Sequence, residues 1–342
     1  MEKREFSKKW LKYLLRLVIT SFIIILLINS IGISSIFDSI KQVNMVYLLI
    51  AWVIALFVRF LESTQMKRLM KEAAMDIPAY RTFLAGSLSA LYGMILPGDL
   101  LAGVAKWANL SSAVGEKAGV FNSIIYFRLL QLMPWLVAGI IAFAINNPTD
   151  SSHLPIILGI LSSFIIIVSI MFYHPKTGMR FNAYASKVVL FLFPHKIADA
   201  ISNVLSSLKY FYEFHWSFHL IMMIRSFFIM IIGFVGFYFS AMAVGIDLPI
   251  AVLVWAKSII TLSRQLPITI SGLGVRESIL VTVFMPFAVP EASAFTLGML
   301  MFSNSVIYAL IGAVYQLFLA MGWAKWSLIS DVDDPDNSLI MK

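Results

Sequence analysis

The chain has 342 residues, of which 60% are hydrophobic and 13% charged, with a mean hydropathy of +0.88. That charge fraction is about half of a soluble domain's, and several apolar runs approach the ~20 residues that span a bilayer as a helix, so an all-α polytopic membrane protein without a sizeable soluble domain is expected. The absence of cysteine excludes disulfides, thiol catalysis and cysteine-ligated metal; the net charge of +8 reads as loops lying against anionic lipid, with no nucleic acid as partner.

The N-terminus, MEKREFSKKWLKYLLRLVITSFIIILLINS, has the charge order of a secretory signal. Its apolar run, 13–36, is too long and no small-x-small cleavage site follows, so it is expected to remain as an uncleaved first span. Further apolar runs lie near 45–61, 82–96, 119–145, 154–173, 218–243, 250–262, 279–289 and 292–323. Lys and Arg gather in the N-terminal arm, in 62–81 and in 174–217, and are absent from 146–153, 245–249 and 285–292. Positive charge marks the cytoplasmic side, so both termini are expected inside.

This assignment has a consequence for two segments. Loop 62–81 is inside and 146–153 outside, and 119–145 supplies the one net crossing between them, so 82–112 must enter and leave on the cytoplasmic face. Likewise 250–288 must enter and leave on the external face. Their tips fall at 96–99 and 266–274, each with Leu-Pro followed by glycine. The expected architecture is about six full spans plus two broken, re-entrant helical hairpins, arranged as an inverted repeat with halves 45–173 and 218–323. All of 1–342 forms one transmembrane domain. Between the halves, 181–215 shows apolar residues at helical spacing after Pro194, as in an amphipathic helix on the cytoplasmic surface or a soluble linker helix. The tail, 324–342, is acidic and reads as solvated and cytoplasmic rather than as a metal site.

Candidate site residues cluster at the two tips and in the span between them. Backbone that is not helical at membrane depth cannot face lipid. Pro97 and Gly98 break the first hairpin; Asp99 follows as a helix cap or as a partner for a cationic headgroup, a proton or an arginine, and Lys106 lies two turns on. Pro267, Gly272 and Gly274 break the second; Arg276 and Glu277 then sit in the first turn of a new helix, whose positive end attracts an anion such as phosphate. Glu277 caps that helix, pairs with an arginine or carries a proton. Lys257 and Arg264 line the descending arm. Arg128 lies ~14 Å into its span, where an arginine costs ~2.5–3.5 kcal/mol, so it serves the substrate or an ion pair with Asp99 or Glu277. Arg59 and Arg225 lie nearer helix ends, where they can snorkel.

The motif Leu-Pro-x-(Ser/Thr)-Ile-x-Gly-x-Gly-x-Arg-Glu, met over 266–277, resembles that of the lysylphosphatidylglycerol synthase transmembrane-domain family, the flippase-like or UPF0104 membrane proteins. The stretch 97–107 followed by Arg128 is similar to the family's first-half pattern, with three departures: Lys106 in place of arginine, Gly103 in place of aspartate, and Phe127 rather than aspartate before Arg128. Full synthases carry a soluble aminoacyl-transferase domain after the membrane part, and this sequence shows none, so the resemblance implies lipid translocation rather than lipid aminoacylation. The expected function is a non-enzymatic, flippase-like translocase for an anionic or lipid-linked substrate in a prokaryotic inner membrane. No G-x-x-x-x-G-K-[ST] is present, so ATP is not the direct energy source. No cofactor or metal is called for. The partners are membrane lipids, and a homo-oligomer is left open. The alternatives are an intramembrane enzyme acting on a lipid phosphate and a scaffold for a lipid or glycan assembly pathway.

Overall fold

The structure is a computed structural model that describes residues 21–95, 99–145, 214–264 and 272–321, together with Val18, Arg180, Tyr184 and Lys187. The side chains of 95 and 99–102 are not among the described parts. Pro97, Gly98 and Pro267 therefore lie outside the described residues, as does the side chain of Asp99. The expected span at 154–173, nearly all of the 181–215 helix and the acidic tail lie outside them too.

Among the described residues every regular element is a helix. Helices α1 (Ser21–Ile31) and α2 (Ile33–Lys41) meet at an angle of 85°. This corrects the expected continuous first span over 13–36. Gly32 adopts φ 88°, a left-handed value that favours glycine. Beyond the bend, Asp38 and Lys41 are exposed and pair at 3.7 Å.

Among the described residues four helices are long and apolar enough to cross a membrane: α3 (Met45–Glu72), α6 (Lys117–Ile145), α7 (Trp216–Ala243) and α10 (Glu291–Ala320). The bent pair, taken as one span, adds a fifth to that described set. Two caps set where long helices start. The Asn44 side chain accepts from Val46 N at 3.0 Å before α3, and His215 Nδ1 accepts from Ser217 N at 3.3 Å before α7.

The other helices are short: α4 (Ala79–Ile95), α5 (Asp99–Val114), α8 (Ile250–Ser263) and α9 (Val275–Phe284) have 17, 16, 14 and 10 residues. At ~1.5 Å per residue, each falls short of a ~30 Å hydrocarbon core. Helix α4 packs on α5, and α8 on α9. A 3-10 turn, Met285–Phe287, and Ala288 at φ 55° then hand the chain to α10.

The packing crosses the sequence. Helices α3 and α7 lie side by side; α4 packs against α10, and α8 against α6. Small residues permit close approach without a hydrophobic driving force between helices. A Cβ on Gly312 of α10 would stand 2.2 Å from the Ser87 carbonyl oxygen of α4, and one on Gly139 of α6 would stand 2.6 Å from Ser258 Cβ of α8. On α7, a Cβ at Gly236 would meet Ile54 Cγ2 of α3 at 2.9 Å. Side chains fasten these contacts. Tyr308 Oη donates to Phe83 O at 2.7 Å, Trp52 Nε1 donates to Ser303 Oγ at 2.8 Å, and Gln65 Nε2 donates to Met222 O at 2.9 Å and Ser226 Oγ at 2.7 Å.

A methyl at 312 meets backbone, which cannot turn aside, so Gly312→Ala is expected to lose roughly 1–3 kcal/mol. Gly139→Ala meets a serine side chain and should lose less. Thermal melts of the purified variants check this: wild type should melt highest and Gly312→Ala lowest. A Gly312→Ala protein that melts with wild type refutes the contact.

Candidate functional site

The residues of α6 explain the site best. Phe127, Gln131 and Trp135 recur every four positions, so they share one face, with Arg128 beside the first of them. That face borders a cavity of about 410 Å³ whose lining also draws on the two short-helix pairs, α3, α7 and α10. Among the described lining residues, six are cationic: Arg59, Lys106, Arg128, Lys257, Arg264 and Arg276. One, Glu62, is acidic.

Each cation is held in a specific way. Arg59 Nη1 pairs with Glu62 Oε2 at 2.9 Å, and its guanidinium carbon lies 5.5 Å from the centre of the Tyr308 ring. The two charges are three residues apart on α3, a spacing at which helix side chains meet. Lys106 Nζ lies 5.2 Å from the centre of the Phe127 ring. Lys257 Nζ lies between two rings, 5.9 Å from Trp135 and 5.3 Å from Phe237. Such contacts are worth ~0.5–2 kcal/mol, more where water is excluded. Arg128 reaches back to α5, where a Cβ on Gly103 would stand 3.1 Å from its Nη2. The Arg264 stem covers Gly272, at 3.4 Å from the same construction.

These contacts account for two of the three departures from the first-half pattern. Phe127 gives Lys106 a ring to rest on, and Gly103 leaves room for the guanidinium of Arg128. Residues 103, 106, 127 and 128 form one packed group across α5 and α6.

The start of α9 shows two of the roles expected for Glu277, cap and arginine partner, held at once. Gly272 and Gly274 have φ 71° and 82°, conformations that favour glycine. They aim the chain so that the N-terminus of α9 faces inward. Glu277 Oε2 accepts from Gly274 N at 2.7 Å, capping the helix, while Oε1 accepts from Arg276 Nε at 3.1 Å and also from Nη2. Its stem covers Gly298 of α10, where a Cβ would approach Cγ at 2.8 Å. Arg276 is 3% exposed and Glu277 1%. The negative group expected at this helix start is thus the chain's own carboxylate, and phosphate does not have that N–H group to itself. Arg276 still borders the cavity and lies 5.7 Å from the centre of the Phe302 ring.

The structure therefore brings Lys106, Arg128, Lys257, Arg264 and Arg276 together in one cavity lining. Gly272, Gly274 and Glu277 stand behind them as shaping residues. Arg225 lies off the cavity, donating to Thr64 Oγ1 at 3.1 Å. The sequence reading undervalued Arg59 and missed Glu62, Gln131, Trp135, Asn304 and Tyr308, all in the lining. The Arg-x-x-Glu spacing of 59–62 was the available signal for the first two. Gln131 Nε2 donates to Gln65 Oε1 at 3.3 Å, which ties the cavity wall to the α3–α7 clasp. Among the described residues, no three His, Asp or Glu side chains gather as a metal site.

The family model described as the lysylphosphatidylglycerol synthase TM region matches residues 13–312. No curated protein and no solved structure matches the chain.

Glu277 and Arg276 form a buried pair, and removing one partner leaves the other charge uncompensated, at a cost of ~3–5 kcal/mol. Glu277→Leu should therefore melt far below wild type. Arg276→Met/Glu277→Leu should recover most of that loss, falling short by the ~1 kcal/mol of a lost cap. Thermal melts of the three proteins test the pair; a double variant no more stable than the single one refutes it.

Proposed function

The chain belongs to the lysylphosphatidylglycerol synthase transmembrane-region family, and from that premise we propose that it is a flippase-like lipid translocase. It moves an anionic or lipid-linked substrate between leaflets. The single observation carrying this reading is the cavity with six cationic side chains, bordered by both broken hairpins. The headgroup sits among Arg128, Lys106, Lys257, Arg264, Arg276 and Arg59. Acyl chains stay in lipid, which asks nothing polar of the outer helix faces. Gly272, Gly274 and Glu277 shape the start of α9 beside it, and Pro97, Gly98, Asp99 and Pro267 complete the proposed set of substrate-site residues.

The inverted repeat is part of this proposal. Pairing α3–α6 with α7–α10 in order turns each packing contact into another contact of the same set. The contact of α4 with α10 becomes that of α8 with α6, and α3 with α7 becomes itself. The two glycine approaches, Gly312 to Ser87 and Gly139 to Ser258, exchange in the same way. Two such halves inserted in opposite senses give alternating access by rocking of one against the other. The remaining elements of the reading are six full spans, both termini in the cytoplasm of a prokaryotic cell, and lipids as the partners.

Reconstitution into liposomes with labelled lipid tests the function. Transfer between leaflets without chemical change supports it; a chemically altered lipid points to an enzyme, and neither result points to a scaffold. Within that assay, Arg128→Ala should abolish transfer while the protein still inserts and melts near wild type. Arg128→Lys should restore only part of the rate, because lysine lacks the planar fork. Normal transfer by the alanine variant rules out Arg128 as a headgroup ligand.

A further inference from the structure

The charge around the cavity says more than that it is basic. Glu62 is engaged by Arg59 and Glu277 by Arg276. Glu277 stands behind the lining, so among the described lining residues six cations face one carboxylate, Glu62. In a low-dielectric wall such a surplus is felt strongly by whatever enters. A single phosphodiester brings one negative charge and leaves most of it unanswered.

Lys106 and Lys257 hold the part of this surplus that is movable. Neither makes an ion pair among the described residues. Each ammonium instead lies over aromatic rings, Lys106 on Phe127 and Lys257 on Trp135 and Phe237. A ring offers a cation far less than a phosphate oxygen does. Phe127 and Trp135 are eight residues apart on α6, or ~12 Å along its axis. Two long, flexible side chains parked at those heights can both turn in on one headgroup. They come from the two different hairpins, so a headgroup that takes both draws the hairpins together.

We propose that the cavity selects a headgroup with at least two negative charges, a phosphomonoester or a diphosphate, and that Lys106 and Lys257 are the residues that determine this specificity. A phosphomonoester carries about −1.5 to −2 at neutral pH, and a diphosphate at least as much. A lysylated phosphatidylglycerol, whose headgroup carries one phosphate and two ammonium groups and is net cationic, is the worst fit. The inference rests on the translocase reading for the source of the anion, since the same chemistry is present in free inorganic diphosphate.

The test titrates the purified full chain with phosphatidic acid, a lipid diphosphate, phosphatidylglycerol and lysyl-phosphatidylglycerol of matched acyl chains, and with inorganic diphosphate. The first two lipids should bind at least about tenfold more tightly than phosphatidylglycerol, and the aminoacylated lipid weakest. Lys106→Gln and Lys257→Gln should each cut the ratio of phosphatidic acid to phosphatidylglycerol affinity by roughly threefold or more, and Lys257→Arg should keep it. Melts of each variant accompany the titration, and the wild-type order alone decides the matter where a variant does not fold. Equal affinity for phosphatidic acid and phosphatidylglycerol, or tightest binding of the aminoacylated lipid, overturns the charge selection and leaves the translocase reading standing. Inorganic diphosphate that competes as well as the lipid diphosphate keeps the selection and overturns a lipid as its source. Binding of none of the five overturns both.

Discussion

A lysine or arginine at the centre of a bilayer costs about 2.5–3.5 kcal/mol on insertion scales, and among its described residues this chain lines one cavity with six lysine and arginine side chains. None can be left against lipid. The long helices α3, α6, α7 and α10 supply the enclosure, and their outer faces remain apolar, as the exposure of Leu49, Val53, Ile231 and Leu310 shows. Inside, the charges are kept apart from one another by rings and by carboxylates placed one to each side. Glu62 answers Arg59 on α3, and Glu277 answers Arg276 on α9. The remaining space is what a charged guest can fill.

The same rule governs backbone. A helix that stops at membrane depth exposes N–H and C=O groups, and these need partners other than lipid. At the start of α9 the partner is Glu277, which reaches back to Gly274 N. Neighbouring helices must also come close enough to seal the site, and this is where the small residues enter. Gly298 accepts the stem of Glu277, Gly103 accepts Arg128, and Gly312 lets α10 rest on the backbone of α4. One substitution at any of these positions acts on the site through the wall rather than through the chemistry.

Much of this was legible before the coordinates. The all-helical, multi-span character follows from composition, and the motif at 266–277 carries the family resemblance that the match over residues 13–312 bears out. Arg128 stood out because nothing but use or pairing justifies an arginine that far into a span. Other parts had no local signature. The bend at Gly32 interrupts an unbroken apolar run, and hydropathy does not register a backbone angle. Tyr308 and Trp135 read as ordinary aromatic residues of long helices until Arg59 and Lys257 are seen against them. Glu62 looked like the cytoplasmic end of its helix, because the run of apolar residues stops there, whereas α3 continues to Glu72. Pairing across the sequence, α4 with α10 and α6 with α8, is a property of the assembled bundle alone.

That crossed pairing bears on how the chain is made. Phe83 and Tyr308 are joined by a hydrogen bond across 225 residues of sequence. At a synthesis rate of about 5–20 residues per second, the second partner leaves the ribosome roughly 10–45 seconds after the first. Through that interval α4 has no α10 to cover it, and Lys106 and Arg128 have no second hairpin to complete the wall around them. A nascent first half is thus a half-open, positively charged trough in the membrane.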